Sequence, residues 1–282
     1  MKNISRKRLR RVVPPIFIDW FKALRDYLFR APVEYIDTWP ESARGWNVGS
    51  IADMHARNWP DYLASLRGIA PFGVGQTAAI GCDVDPWDII NHNNTVSFAA
   101  VLGMAAQARS ELTMLDWGGG VGHYCVLAQT LMPELKIEYH CQDMEVFCEV
   151  GRRNLPQANF WSKPDECFHR RYDLVFAGSS LWYAQDWRAM LSKLGSATDR
   201  FCFVSRMIFV VKAPSFLVIQ RPATDHGYAT EYPMWILNRG EFLGAAREAG
   251  LEPVREFLIG HGPRIHRAPE HGFFRGFLFS RR

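Results

Sequence analysis

The sequence predicts an α/β fold in which a mostly parallel sheet carries helices on both faces and ends in an antiparallel hairpin. Three observations predict it. From about residue 94, apolar runs of strand length alternate with runs of helical period; a glycine-rich turn lies between the first strand and the helix after it; and the chain ends in two strand-like runs, 252–260 and 273–280. A terminal hairpin added to a parallel sheet makes that sheet mixed.

The first 30 residues stand apart. Ile16, Trp20, Leu24 and Leu28 recur at intervals of four, with Phe17 and Phe21 alongside, while Lys22, Arg25 and Asp26 lie off that stripe. Pro15 suits a first helical turn, so the segment reads as an amphipathic helix behind a basic arm. Such a helix either docks on an anionic membrane surface or packs on its own domain. Residues 31–94 are rich in Trp, Pro, Gly and Asp, and their periodicity is weak. They read as an irregular extension with one short helix from Pro60 to near Gly68.

Beyond this the elements follow in order. TVSFAAVLGMAAQARS (95–110) is a helix with a broad apolar face, and LTMLDW (112–117) a buried strand. HYCVLAQTLM is a helix stopped by Pro133, and KIEYHCQD a strand with Ile137, Tyr139 and Cys141 in alternation. EVFCEVGRRNL is a helix, ANFW a brief strand, YDLVFAGSS a buried strand, DWRAMLSKLG a helix and RFCFVSRMIFVV a long strand. An insertion over 210–237, long enough to serve as a lid, precedes the helix NRGEFLGAAREAG and the closing hairpin. The domain proper is thus expected over 95–282.

Composition narrows the function classes. Apolar residues make up 48% and charged residues 22%, so a sizeable buried core is expected. The formal charge of +4 is misleading: nine Lys or Arg against Asp19 and Asp26 give the first 30 residues +7, leaving −3 for the rest. A mildly acidic body gives no footprint for nucleic acid. Six cysteines occur without a CxxC pair, which indicates reduced core residues of a cytoplasmic protein and neither a zinc site nor a disulfide framework. Pro14, Pro15 and Asp19 break the one apolar stretch that could imitate a secretory signal, and the run 95–108 is too short to span a bilayer. The aromatic content of 13%, with ten Trp, fits either an aromatic core or a pocket for planar or glycan-like ligands.

The chemistry concentrates at Asp116, Trp117, Gly118, Gly119, Gly120, Val121 and Gly122, a DxGxGxG turn that opens a helix at His123. Alternate glycines permit a tight turn and expose main chain to a ligand, and the helix N-terminus behind them favours a carboxylate. Asp116 at the strand end can meet an ammonium, so the turn suits a zwitterion such as the amino-acid end of S-adenosylmethionine (SAM). Asp143 closes the next strand, twenty-one residues beyond Gly122, where a carboxylate can grip a ribose diol; Met144 can pack on adenine. A nicotinamide or flavin dinucleotide is the competing ligand. Its GxGxxG pattern needs a small residue where His123 stands, and Asp116 would repel a pyrophosphate.

The runs LDWGGGVGHY, YDLVFAGSSLWY, RFCFVSR and YPMWILNRGEFLGAAREAGLEPV resemble class I SAM-dependent methyltransferases, whose fold is Rossmann-like. More narrowly, they resemble a bacterial methyltransferase family often associated with lipopolysaccharide or other surface-polysaccharide genes. The resemblance runs from about Trp46 to the C-terminus. It implies a seven-stranded sheet with a reversed last strand, and contacts to SAM from Asp116, Gly118, Gly120 and Asp143, with Asp165 a candidate for the adenine amino group.

Methyl transfer from a sulfonium is an in-line displacement that depends on positioning and exclusion of water. The acceptor pocket is expected over the ends of the central strands, at Ser179, Ser180, Trp182, Tyr183, Ser205 and Arg206, and under the insertion with Gln220, Arg221, His226, Tyr232 and Trp235. An oxygen of a small molecule or sugar is the expected acceptor, with His123, Tyr183 and His226 the leading proton acceptors. A non-catalytic scaffold on the same fold, or an NAD-type oxidoreductase, remains an alternative.

Overall fold

The computed structural model describes residues 33–41, 43, 45–73, 86–221 and 230–282. The basic amphipathic segment, Cys82 and His226 lie outside the described residues.

Seven strands form the main sheet. They are β2 (Glu111–Trp117), β3 (Lys136–Gln142), β4 (Asn159–Trp161), β5 (Tyr172–Gly178), β6 (Thr198–Val210), β9 (Leu251–His261) and β10 (Phe273–Arg281), in the order β4-β3-β2-β5-β6-β10-β9. β2 to β6 are parallel, whereas β10 runs antiparallel to both β6 and β9. This is the Rossmann-like order with one reversed strand. Side chains of alternate residues enter two cores. Leu174, Phe176 and Phe203 face one, with α2 (Pro86–Ala106), α3 (His123–Leu131) and α4 (Glu145–Asn154). Val175, Ala177, Cys202 and Val204 face the other, with α5 (Trp187–Ala197) and α6 (Arg239–Glu248). The period of two along each strand therefore dictates the three-layer arrangement.

Two stretches hold more regular structure than their sequences suggest. Residues 49–65 form α1 (Gly49–Ser65), which buries Ile51, Ala52 and Trp59 and carries Pro60 inside it rather than at its start. Val48 provides no side-chain cap, so the usual start signal is missing. α2 likewise begins at Pro86, and its polar first half is anchored by tertiary bonds: Asn93 donates to the Ile259 carbonyl at 2.9 Å, and Asn94 to the Tyr124 hydroxyl at 2.6 Å.

The insertion is built largely as strands. β7 (Phe216–Gln220) pairs antiparallel with β8 (Tyr232–Asn238), and β1 (Val33–Ile36) adds to the outer edge of β7. β8 joins the main sheet beside the end of β6 through Phe209–Leu237 and Val210–Asn238. Arg221 ties this hairpin together, with Glu34 at 3.0 Å and Glu231 at 2.8 Å. Among the described residues no helix is long and apolar enough to cross a membrane, and no group of three potential metal ligands occurs. Cys125, Cys141, Cys148, Cys167 and Cys202 are buried free thiols.

Candidate functional site

A cavity of about 1130 Å³ opens at the C-terminal ends of the parallel strands and runs from the glycine turn to the β7–β8 hairpin. Crevices of open α/β sheets form there because the helices on either side leave the strand ends uncovered.

The glycine turn has a different physical reason at each position. Gly118 sits at φ 74°, and a Cβ there would stand 2.3 Å from the Ser180 Cβ. Its N–H donates to the Gln142 carbonyl at 2.7 Å, and the Ser180 hydroxyl donates to the Trp117 carbonyl at 2.7 Å, which laces the ends of β2, β3 and β5 together. A Cβ on Gly119 would meet the Asp116 carboxylate at 2.5 Å. Gly120, at φ 60°, has nothing within 4 Å of its Cβ direction and lines the cavity as bare main chain. Gly122, at φ 89°, packs on Leu155 and Phe160 and does not line the cavity. Its contribution is to let α3 start tightly against the sheet.

Both carboxylates predicted for this site line the cavity. Asp116 is 1% exposed, and its Oδ2 accepts from the Tyr139 hydroxyl at 2.5 Å. Burial pushes its pKa up to about 7 against that hydrogen bond, with the charge of Asp143 adding to the rise. Asp143 accepts the Gly120 N–H on Oδ2 and the Met144 N–H on Oδ1, each at 2.7 Å. Burial raises it to about 6, and those two N–H groups oppose the rise. A carboxylate has about four lone-pair directions, so two stay available to a ligand. Met144 is 37% exposed and lines the cavity with Phe147, Ser162 and Pro164.

Two of the expected side chains behave differently. Asp165 is outside the cavity lining; its exposed carboxylate accepts from Lys193 at 2.7 Å, so Ser162 and Pro164 occupy the wall assigned to it. His123 lines the cavity, but its ring packs among His55, Trp59 and Tyr62, and desolvation, aided by His55, lowers its pKa to about 3. A group with that pKa is a poor proton acceptor near neutrality. Tyr183 does line the cavity, with its hydroxyl 3.4 Å from Gln220 Oε1 and its ring edge-on to Trp46 at 5.4 Å.

The far wall adds residues that the motif did not indicate. Trp46 stacks on Tyr232 at 4.2 Å, and both line the cavity with Trp182 and Phe274. Asn94 bridges α3 and β6: it donates to Tyr124 and accepts the Ser205 hydroxyl at 2.6 Å. The Tyr124 hydroxyl is pushed up to about 12 by burial, with the charge of Arg206 opposing. Arg206 lines the cavity from within β6, four residues short of its end, whereas Ser205 and Asn94 are buried behind the wall; Asn94 and Trp46 carry no local sequence signal.

The chain matches no family model and no curated protein in sequence. Among solved structures it is similar to 1,6-didemethyltoxoflavin-N1-methyltransferase of Burkholderia thailandensis, which was solved with 1,6-didemethyltoxoflavin and S-adenosylhomocysteine bound. The identity is 12%, over 88% of this chain and 94% of that one, with a TM-score of 0.48. It is also similar to the sugar N-methyltransferase KedS8 of Streptoalloteichus sp., at 12% identity over 88% and 99% with a TM-score of 0.48. An O-methyltransferase family protein of Burkholderia thailandensis is 17% identical over 81% and 69%, with a TM-score of 0.44. Likeness at this level assigns no substrate to this chain.

Proposed function

We propose that this chain is a class I methyltransferase that uses SAM to methylate a hydroxyl of a small-molecule or saccharide acceptor. The observation that carries the reading is Asp143, clamped by two main-chain N–H groups over the glycine turn and lining the same cavity as Asp116. The donor set fits the cofactor. Asp143 can take the two ribose hydroxyls, Asp116 the ammonium, the bare main chain at Gly120 admits close approach, and Met144 and Phe147 offer apolar surface to the adenine. A dinucleotide fits poorly, because its pyrophosphate would meet Asp116 and because His123 replaces a small residue.

When bound, SAM supplies a methyl group activated on a sulfonium. The chain's own residues then position the acceptor and keep water out. Trp46, Trp182, Tyr183, Tyr232 and Phe274 form an aromatic wall suited to the apolar face of a sugar or other ring. The low pKa of His123 leaves positioning, rather than proton abstraction, as the larger contribution. Tyr183→Phe is therefore expected to lower kcat by less than about tenfold, the usual lower bound for a general base being larger. The resemblance to surface-polysaccharide methyltransferases makes saccharides the acceptors to test first.

The raised carboxyl pKa values give the reading a pH signature. Both groups hold protons more tightly in the folded than in the unfolded chain, so their contribution to folding is full below about 3.8 and is lost as the pH rises through about 6 and about 7. Cofactor binding has the opposite sign, since it uses the ionised forms. Between pH 5.5 and 8 the free protein should lose thermal stability from these two groups, while the affinity for S-adenosylhomocysteine (SAH) rises by about tenfold or more. Calorimetry near pH 6.5 should register net proton release on binding.

Transfer of radiolabelled methyl from SAM into cell-extract metabolites and glycans tests the activity. Label is expected with the wild type and not with Asp143→Ala; equal labelling from both contradicts the reading.

A further inference from the structure

The acceptor half of the cavity contains a cation whose placement the cofactor does not explain. Arg206 lies on β6, separated from the glycine-turn strand β2 by β5. Asp116 is level with Phe176 of β5, and Phe176 with Phe203 of β6. Arg206 is therefore two strands across, about 10 Å, and three residues further toward the strand ends than Asp116. The cofactor's amino-acid end belongs over β2 and β5, so Arg206 stands on the side from which an acceptor approaches.

Arg206 is also in an unusual backbone state. Its φ is 56°, and it is matched across the strand end by Ser179 at φ 58°. On β10, Arg275 pairs with Met207 and Phe277 with Val204, so Gly276 alone faces Ser205 and Arg206. This is a β-bulge, which kinks the strand and redirects the extra residue's side chain. Gly276 is required opposite it, because a Cβ there would lie 2.8 Å from the Ser205 hydroxyl. A left-handed arginine costs about 1 kcal/mol or more, and such strain persists where the surrounding pairing enforces it.

The other lysine and arginine side chains that line the cavity have acidic partners. Lys193 pairs with Asp165, and Arg221 with Glu34 and Glu231. Among the described residues no hydrogen bond or ion pair is made by the Arg206 guanidinium. The remaining lining carboxylate, Asp186, caps α5 through the Ala189 N–H at 2.9 Å. A half-buried guanidinium in an aromatic-walled cavity presents a planar fork of donors that matches a carboxylate or phosphoryl group.

We propose that the bulged Arg206 binds an anionic group, a carboxylate or phosphoryl, on the methyl acceptor, so that the enzyme methylates an acidic molecule. This rests on the methyltransferase reading. The probes are benzoate, phenyl phosphate and the neutral benzyl alcohol, titrated against SAH-saturated protein and followed by saturation-transfer NMR. The wild type should bind at least one anion about tenfold or more tighter than the alcohol. Arg206→Gln should abolish that preference while its SAH affinity stays within twofold. Arg206→Gly, whose backbone is at ease at this φ, should melt no lower than the wild type and lose the same preference, which guards against misfolding of the first variant. Three results would overturn the proposal: no anion preference in the wild type, an undiminished preference in both variants, or SAH affinity falling with Arg206→Gln, which would assign the residue to the cofactor. Failure of the wild type to bind SAH at all would instead sink the methyltransferase reading.

Discussion

Asp143→Ala is expected to weaken SAH binding by about a hundredfold, the equivalent of about 3 kcal/mol. The loss combines two charge-assisted hydrogen bonds to the ribose, each worth about 1.5–3 kcal/mol, with relaxation of the turn they are built upon. The two main-chain donors of Gly120 and Met144 lose their acceptor as well, and Gly120 belongs to the turn itself. Asp165→Ala is the matched control. Its carboxylate faces Lys193 on the surface, so SAH binding should change by less than twofold. Isothermal titration of both variants reads the contrast directly.

Gly118→Ala should produce the largest loss of stability of any single methyl added near the site. Its backbone is left-handed, which costs a residue with a Cβ about 1–2 kcal/mol. The added carbon would also overlap the Ser180 Cβ at 2.3 Å, where the Ser180 hydroxyl already holds the end of β2. Overpacking of that kind costs about 1–3 kcal/mol. Together these predict about 3 kcal/mol, or a fall in Tm of roughly 5 °C for a chain of this size. Gly120→Ala shares the left-handed strain, but its Cβ meets nothing within 4 Å, so it should melt higher than Gly118→Ala while obstructing the cofactor. Thermal melts with and without SAH separate the two effects.

The strand, turn and helix around Asp116 were legible because their signals are local: alternation in LTMLDW, glycines where the backbone turns left-handed, and Asp143 at the end of the neighbouring strand. What was not legible depends on partners distant in sequence. Asp165 stands where a cofactor contact is expected, but Lys193, 28 residues on, pairs with its carboxylate. His123 looked like a base, yet α1 supplies the His55, Trp59 and Tyr62 rings that bury it, and α1 itself lacks a capping signal. The left-handed turn at Arg206 is set by Gly276 on the opposite strand, and no pattern around residue 206 announces it. The strands of the insertion carry little local signal for a related reason: FLVIQ is only five residues long and is stabilised by pairing with β1 and β8.

The glycine turn and its two acids are expected to hold an adenosyl amino acid. Calorimetric titration of the intact chain at pH 8 with SAH and, separately, with NAD is the direct measurement. Saturable binding of SAH at one per chain, and none of NAD, is the expected result. Binding of NAD without binding of SAH would contradict it.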